Sequence, residues 1–298
     1  MDKVDILLPI YNGEKFLEEQ IKSLLRQTHK NISILVRDDG STDQSKDIID
    51  SLAKADSRII VVNDENGNLG LVANINFLLG ISDADYIMYC DQDDVWFDDK
   101  IEILMREMQK RELDLGKQMP ILVHSDCYIT NENLEIRGRF KGTKALKYGL
   151  EKSLFKFYVQ GASALLNKAL MREIYPFINN VYLHDRYTHL CAEIAGRRFY
   201  LNSPLMYYRQ HSSNLVGSSN LMTKLKNIFS PSRFVFFQIQ DRKLIESLSN
   251  EKYVNNDLLK AYLEITSDKT SLFEKLKILR FYNISMRLKE FFIMSVKF

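Results

Sequence analysis

Proline, glycine and cysteine are all scarce in this sequence, and each shortage excludes a class of protein. Five prolines and twelve glycines in 298 residues leave little material for long disordered linkers. The three cysteines, Cys90, Cys127 and Cys191, are odd in number and far apart, which argues against a disulfide framework. We therefore expect a globular protein with reduced thiols in a cytoplasmic setting.

Long hydrophobic runs are also missing. No apolar stretch approaches the roughly 18–20 residues that a membrane-spanning helix needs. The N-terminal apolar run is too short for a signal peptide and has acidic residues on both sides. We expect a protein that is soluble, or that binds peripherally to the inner face of the cell membrane.

Neither positive nor negative charge is in large excess over the whole chain, but the two are unevenly distributed along it. The net charge is +2, whereas the segment from Ser219 onward carries fourteen Lys and Arg against eight Asp and Glu, a net charge of +6. The rest of the chain is acidic, with a net charge of −4. Basic residues are therefore not concentrated on the body, which argues against nucleic-acid binding.

Apolar runs of strand length alternate with helical patterns through the first hundred residues. The predicted strands cover residues 4–10, 32–37, 58–62 and 86–90. Strands that alternate with helices predict an α/β fold with a mainly parallel sheet and helices on both faces. The pattern loosens past residue 100, residues 130–150 are typical of a loop, and residues from 219 onward predict two or three helices.

Three polar clusters stand where predicted strands end: YNG after the first, DDGSTD after the second and DQDD after the fourth. Carboxyl ends of parallel strands meet at one edge of a sheet, which is where such folds bind ligands. Asp91 and Asp93 supply oxygen ligands for a divalent cation, and such a cation would let an acidic edge hold an anionic diphosphate. The competing interpretation is that acid-rich turns simply cap helices, with Ser41 or Thr42 capping the second one.

Taken together, these segments resemble the inverting, GT-A fold glycosyltransferases of family 2. The resemblance covers roughly residues 3–215 and is carried by ILLPIYNGEKFLEEQIKSLLRQT, VRDDGSTDQSKDII, NGNLGLVANINFLL and YCDQDDVW. CDQDDVW, HDRY and YRQH look most like bacterial rhamnosyltransferases of cell-wall or capsular polysaccharide synthesis. The resemblance implies a GT-A catalytic domain over residues 1–218, with a nucleotide-binding half to about 125 and an acceptor-binding half from about 126. A basic helical region would follow over residues 219–298.

The resemblance also implies which side chains bind the nucleotide sugar. They are Pro9, Tyr11, Asp38, Asp39, Asn68, Gly70, Asp91 and Arg209. Asp39 is expected to accept the imide N–H of a uracil or thymine ring, while Gly40 lets the backbone approach the ligand. For DDGSTD the alternative is a helix N-cap, and for Asn68 and Gly70 it is a simple loop-to-helix cap.

A divalent metal, Mn²⁺ or Mg²⁺, is the cofactor that the resemblance implies. Asp93 would be its main ligand and His211 a candidate third ligand, and the ion would stabilise the leaving nucleoside diphosphate. The alternative for His211 is a solvated side chain in a polar loop. The segment SSNLVG after His211 has the small residues of a loop that closes over a bound donor.

Asp185 matches the catalytic base of the family, which takes a proton from the acceptor hydroxyl as that oxygen attacks the anomeric carbon. Capping of a helix over 186–195 is the competing role. His184 replaces the commoner Glu and is expected to bind the acceptor or to tune Asp185. Trp96 is either a platform for an acceptor sugar or a buried anchor. The basic loop from Arg137 to Lys141 either meets an anionic acceptor or is simply exposed.

The sequence thus predicts transfer of a single sugar, L-rhamnose from dTDP-rhamnose, to a polyprenyl-diphosphate-linked glycan. The QxxRW signature of processive relatives is missing, which favours single addition. A UDP-hexose or UDP-N-acetylhexosamine is the alternative donor, and a non-catalytic scaffold at the membrane is the alternative function. A nucleotidyltransferase is disfavoured because PIYNGEKF lacks a Gly- and Arg-rich phosphate loop.

In the C-terminal region, a predicted helix has one apolar face flanked by two arginines. The face consists of Phe281, Ile284, Leu288, Phe291 and Phe292. Arg280 and Arg287 lie at its flank, a pattern that suits a membrane surface or, equally, a partner subunit. The oligomeric state is left open.

Overall fold

The computed structural model describes residues 2–142, 146, 148–211, 231–267 and 269–282, with the backbone alone at 231–238. It divides into two units. The first consists of Met1–Leu146, Tyr158–Pro176 and Leu183–Ser219, and the second of Lys147–Phe157, Phe177–Tyr182 and Asn220–Phe298. All of the candidate site residues belong to the first unit.

Four parallel strands form the N-terminal half of the sheet, in the order β3-β2-β1-β4. They are β1 (Val4–Ile10), β2 (Ile32–Asp38), β3 (Ile59–Val61) and β4 (Tyr86–Tyr89). All seven residues of β1 are buried, because strands of neighbouring chain segments lie on both sides of it and helices cover the sheet. The four predicted strands are confirmed, and their ends agree to within one residue.

Helices follow these strands as the apolar spacing predicts. They are α1 (Leu17–Leu25), α2 (Ser45–Ala55), α3 (Leu71–Ile81) and α4 (Lys100–Leu115). In α1, Leu17, Ile21 and Leu24 are fully buried on one face, while Lys22 on the other face pairs with Glu18 in the same helix. After each of β1, β2 and β3, a helix returns the chain to the other end of the sheet, so that the next strand runs parallel to the last.

The sheet continues with strands of mixed direction. These are β5 (Val95–Trp96), β6 (Ile121–Thr130), β7 (Ile136–Arg139), β8 (Ala164–Asn167) and β9 (Arg197–Arg209). β8 is antiparallel to β4 and β6, β9 runs parallel to β6, and β5 and β7 add antiparallel pairs at β9 and β6. Between them lie α6 (Lys168–Ile174) and α7 (His184–Ala195), while α5 (Leu150–Ser153) belongs to the second unit. The result is a mixed α/β fold.

Where the structure describes the C-terminal region, the second unit consists of helices joined by short turns. It contains α8 (Pro231–Ser247), a π-helical turn (Leu248–Lys252), α9 (Asp257–Ile265) and α10 (Leu272–Phe281). Asn256 caps α9, and Ser271 with Glu274 forms a capping box at the start of α10. No helix in the described residues has the length and apolar character to cross a bilayer. The predicted amphipathic face lies outside the described residues except for Phe281.

Candidate active site

The loops after β1 and β4 are joined by one side chain, Gln92. Its Nε2 donates to the carbonyl of Tyr11 over 3.0 Å, and its Oε1 accepts from the Tyr11 amide over 2.9 Å. A Cβ on Gly13 would lie 2.6 Å from Gln92 Oε1, so a side chain at residue 13 would displace the Gln92 amide. Pro9 is buried within β1, whereas Tyr11 is 51% exposed. Of these two predicted nucleotide contacts, only Tyr11 presents its side chain at the surface.

The loop after β2 holds the loop after β1 through short polar side chains. The Asn12 amide donates to Ser41 Oγ over 2.9 Å, and Asn12 Oδ1 accepts from the Thr42 amide over 2.8 Å. Ser41 in turn donates to Asp38. Neither hydroxyl caps α2, which begins later, at Ser45, and that prediction is wrong. The physical reason is that both residues pair with the neighbouring loop instead of with a helix terminus.

Asp39 anchors the turn that contains Asn68 and Gly70. Its buried carboxylate accepts from the amides of Leu69 and Gly70 over 2.8 Å each and from Arg37 Nη1 over 2.6 Å. Asn68 Nδ2 donates to the carbonyl of Asp39 over 2.9 Å. The two predicted segments therefore meet, but three protein donors already occupy most of the acceptor capacity of Asp39.

A cavity of about 200 Å³ opens beside the ends of β2 and β3. Its lining includes Asp38, Gly40, Lys46, Asn63 and Gly67. Gly40 has φ +85°, and nothing lies within 4 Å of where its Cβ would be, so the backbone there is open to a ligand. The arrangement offers a carboxylate, an amide and a cation around one concave surface.

The structure brings Asp93 and His211 together from positions 118 residues apart. His211 Nε2 lies 2.8 Å from Asp93 Oδ2, and both side chains are mostly buried. The imidazole packs against Phe16 at a ring-centroid distance of 4.8 Å. Among the described residues, no group of three or more His, Cys, Asp or Glu is arranged to hold a metal by itself. A carboxylate and an imidazole nevertheless fit an ion that takes its other ligands from phosphate and water.

Packed carboxylates surround this pair. Burial, followed by the charges of Asp93 and Asp185, raises the pKa of Asp91 to about 7. Burial, followed by the charges of Asp93 and Asp91, raises the pKa of Asp94 well above its usual range. Asp94 Oδ2 is buried and has no hydrogen-bond partner. Such a cluster is stabilised by a nearby cation, which agrees with the donor set of Asp93 and His211.

Arg209 contacts the loop that carries these carboxylates. Its guanidinium donates to the carbonyls of Asp93 and Glu132 and to the carboxylate of Glu19, and it lies 4.4 Å from the Phe16 ring centroid. Its amide donates to Asp94 Oδ1 over 3.1 Å. The side chain is 3% exposed. Protein acceptors therefore enclose the guanidinium, and the phosphate contact expected of Arg209 stays a prediction.

Asp185 occupies the first turn of α7, whose N-cap is Leu183. Its Oδ1 accepts from the Arg186 amide over 2.8 Å, and the Gly161 amide also donates to its carboxylate. Burial raises the pKa of Asp185 to about 6. A carboxylate with that pKa is ionised at neutral pH and can accept a proton, as a general base must.

His184 and Trp96, the two predicted acceptor contacts, are both buried. His184 meets the Tyr89 ring edge-on at 4.7 Å, its Nδ1 has no partner, and burial lowers its pKa to about 4, so it is neutral. Trp96 is 1% exposed, and Lys100 Nζ covers its ring at 3.2 Å from the centroid. Of the two roles considered for Trp96, its burial favours that of a packing anchor over that of a platform for a sugar.

Two residues of the site had no recognisable sequence signal. Gln160 Nε2 donates to Asp91 Oδ2 over 2.9 Å. Lys100 is fully buried, which lowers its pKa to about 7. A glutamine before a glycine and a lysine at a helix start are ordinary features of a sequence, so only the fold reveals their contacts. The segment SSNLVG, residues 212–217, lies outside the described residues.

Comparison with known proteins finds glycosyltransferases, as the sequence resemblance led us to expect. The profile of Glycosyl transferase family 2 matches residues 5–173. The protein named dTDP-rhamnosyl transferase RfbG, from Shigella flexneri, is 29% identical over 272 residues, which cover 85% of this chain and 88% of that protein. Glycosyltransferase GlyG of Streptococcus pneumoniae is 28% identical over 228 residues, 72% of each chain.

Two solved structures share the fold. TarS of S. aureus in complex with UDP-GlcNAc matches with a TM-score of 0.64 and 16% identity, over 97% of this chain and 77% of that chain. The mannosyltransferase PcManGT of Pyrobaculum calidifontis, in complex with GDP-Man and Mn²⁺, matches with a TM-score of 0.59 and 16% identity, over 99% and 79%. These likenesses agree with the GT-A fold expected from the sequence.

Proposed function

This chain belongs to glycosyl transferase family 2, and from that premise we propose that it is an inverting, metal-dependent enzyme that transfers one L-rhamnosyl unit from dTDP-rhamnose to a glycan. The observation that carries the proposal is the Asp93–His211 pair, placed among carboxylates at the edge where the parallel strands end. The rhamnosyl donor is supported by the name of the Shigella flexneri relative, which this chain matches over most of its length.

The nucleotide would bind along the ends of β1 and β2. Tyr11 is exposed beside the open backbone at Gly40, and Asp38 lines the adjoining cavity. Asp39 shapes this surface by fixing the turn at Asn68 and Gly70. One remaining lone pair of its carboxylate could accept the ring imide.

Asp93 and His211 would hold the divalent ion, Mn²⁺ or Mg²⁺. When bound, such an ion stabilises the negative charge that develops on the departing diphosphate. Arg209 fixes the Asp93 backbone through its 2.8 Å hydrogen bond to the carbonyl, so the carboxylate is held toward His211. Asp91, in the same loop, would contact the ribose or the sugar of the donor.

Asp185 would serve as the base. Its carboxylate takes the proton from the acceptor hydroxyl, whose oxygen forms a bond to the anomeric carbon on the face opposite the diphosphate. The bond from that carbon to the diphosphate oxygen breaks with its electron pair, so the sugar configuration inverts. The buried surroundings of Asp185 exclude water that would compete for the sugar.

The acceptor would meet the basic loop after β6. Asp126 is buried and accepts from Arg139 Nε over 2.7 Å and from the amides of Lys141 and Gly142 over 3.0 and 2.9 Å. These bonds order the loop, while Arg137 is exposed. A lipid-linked acceptor carries a diphosphate, and the cations of an ordered loop complement its charge.

A donor panel tests this proposal. The purified protein is incubated with Mn²⁺, a lipid-linked glycan acceptor and dTDP-rhamnose, UDP-glucose or UDP-N-acetylglucosamine, and release of nucleoside diphosphate is measured. We expect release from dTDP-rhamnose that depends on both Mn²⁺ and Asp185. Faster release from a UDP-sugar would change the donor and keep the chemistry, whereas release from none of the three would contradict the enzymatic proposal.

A further inference from the structure

A short turn lies between the candidate donor carboxylate and the candidate base. It is formed by Gln160 and a 3₁₀ turn, Gly161–Ser163, which leads directly into β8. Ser163 locks the turn, because its amide and hydroxyl both donate to the Gln160 carbonyl, over 3.0 and 2.7 Å. From below, the buried Lys100 Nζ donates to the Ala162 carbonyl over 2.6 Å. The turn is therefore fixed on two sides.

The Gln160 side chain reaches Asp91 from this turn. It is 7% exposed, and its Nε2 donates to Asp91 Oδ2 over 2.9 Å. When Asp91 is ionised, the opposite amide orientation would set two acceptor oxygens against each other, so the contact then requires the N–H donor of glutamine. Its Oε1 is buried with no hydrogen-bond partner. A buried amide that leaves one atom unsatisfied is costly, and its contact with Asp91 offsets part of that cost.

Gly161, the next residue, contacts Asp185. Its amide donates to the Asp185 carboxylate. A Cβ on Gly161 would lie 3.1 Å from Asp185 Cβ and 3.0 Å from His184 Nε2, closer than side-chain carbons normally approach. A Cβ at residue 161 would therefore push the first turn of α7 away from this peptide by a few tenths of an ångström.

We propose that Gln160 and Gly161 form a positioning element that sets the separation between Asp91 on the donor side and Asp185 on the base side. This inference rests on the proposed function. Gln160 orients the donor carboxylate through its side chain, and Gly161 seats the base through its backbone. The two residues should therefore affect different kinetic constants, which a purely structural role would not do.

The test uses two variants and a matched control on the full chain, with whichever donor of the panel the wild-type protein consumes fastest. Gln160→Leu keeps the volume and removes the donor N–H, and Gln160→Met replaces it if the folded yield is low. Gly161→Ala adds the crowding Cβ. Gly80→Ala is the control, because its Cβ would also be crowded, at 2.5 Å from Tyr175 Oη, but away from these carboxylates.

For Gln160→Leu we expect the KM for the donor to rise about tenfold, because one charge-assisted hydrogen bond is lost. The Kd for the donor, measured by calorimetry with Mn²⁺ present, should rise by the same factor. The kcat should stay within threefold of wild type. For Gly161→Ala we expect kcat to fall at least about thirtyfold with donor Kd within threefold. Gly80→Ala should stay within twofold of wild type in both constants.

The inference is overturned if both variants change kcat and KM in parallel, or if neither changes them while wild type is active. Absence of wild-type turnover with every donor is a different result. It would overturn the proposed function itself and this inference with it.

Discussion

At the scale of single residues, Asp185 combines burial with a role that needs charge. Burial raises its pKa from 3.8 to about 6, so as the pH falls the carboxylate is protonated about two pH units above an exposed one. We expect kcat/KM to fall about tenfold per pH unit below pH 6, because only the ionised form accepts a proton. A pH profile of initial rates measures this, and a flat profile down to pH 5 would exclude Asp185 as the base.

The same burial has a cost in stability. A carboxyl group whose folded pKa exceeds its unfolded pKa binds more protons when folded, so stability falls as pH rises from about 4 to about 6. We expect Asp185→Asn, whose side chain stays neutral, to be more stable than wild type at pH 7.5. The free energy of unfolding should rise by an amount on the order of 2 kcal/mol, and the unfolding temperature should rise with it. The gain should vanish below pH 4 in thermal denaturation. A gain independent of pH would show another cause.

Some residues of the candidate site could be predicted from the sequence, and others could not. The family resemblance indicated both Asp93 and His211, and the structure places them 2.8 Å apart. The contacts of Arg209 were missed because a sequence does not show that Glu19 and two carbonyls surround its guanidinium. Contacts of buried polar groups depend on which elements pack together, and that is decided by the whole fold.

At the scale of elements, the buried strands were the easiest to predict. A strand covered on both faces is a continuous apolar run, as in β1, so sequence pattern alone locates it. β7 was missed because its residues IRGR are mostly exposed and carry no such run. Its strand conformation comes from pairing with β6, a tertiary contact. The start of α2 was misplaced because Ser41 and Thr42 bond to the neighbouring loop.

The turn after β3 provides an element-scale prediction. Asp39 holds this turn through two amides and Arg37, whereas Asp38 bonds mainly to Ser41. We expect Asp39→Asn to lower the unfolding free energy by roughly 2–4 kcal/mol, because a buried partner of Arg37 loses its charge. Asp38→Asn should cost under about 1 kcal/mol.

Nucleotide affinity should distinguish the same two variants. Asp39→Asn loosens the turn that shapes the cavity, and Asp38→Asn alters its lining, so both should weaken dTDP binding. Urea denaturation and calorimetry measure the two quantities separately. Equal losses of stability in both variants would show that Asp39 has no special anchoring role.

At the scale of the whole molecule, the two parts of the sequence carry opposite net charge. The net charge is +6 from Ser219 onward and −4 before Ser219. In the described part of the C-terminal unit, α10 exposes Leu272, Phe273, Leu276 and Phe281, which are between 49% and 81% exposed. Lys277 and Arg280 lie on the same helix. Exposed apolar residues interleaved with cations suit an anionic membrane surface.

We therefore expect the protein to sediment with vesicles that contain phosphatidylglycerol and to remain in the supernatant with phosphatidylcholine alone. Phe273→Ser with Phe281→Ser should reduce bound protein several-fold, because aromatic side chains supply much of the interfacial free energy. Leu113→Ser, an 88% exposed apolar residue of the first unit, is the control. Equal binding to both vesicle types would contradict membrane association through this helix.

The central claim is that Asp93 and His211 hold the divalent ion that the reaction needs. Mn²⁺ binding, followed by electron paramagnetic resonance with and without dTDP, tests it most directly. We expect wild type to bind Mn²⁺ more tightly when dTDP is present, and Asp93→Ala to lose that binding together with at least about a hundredfold of the turnover. Full turnover in excess EDTA, or unchanged Mn²⁺ binding by Asp93→Ala, would contradict the claim.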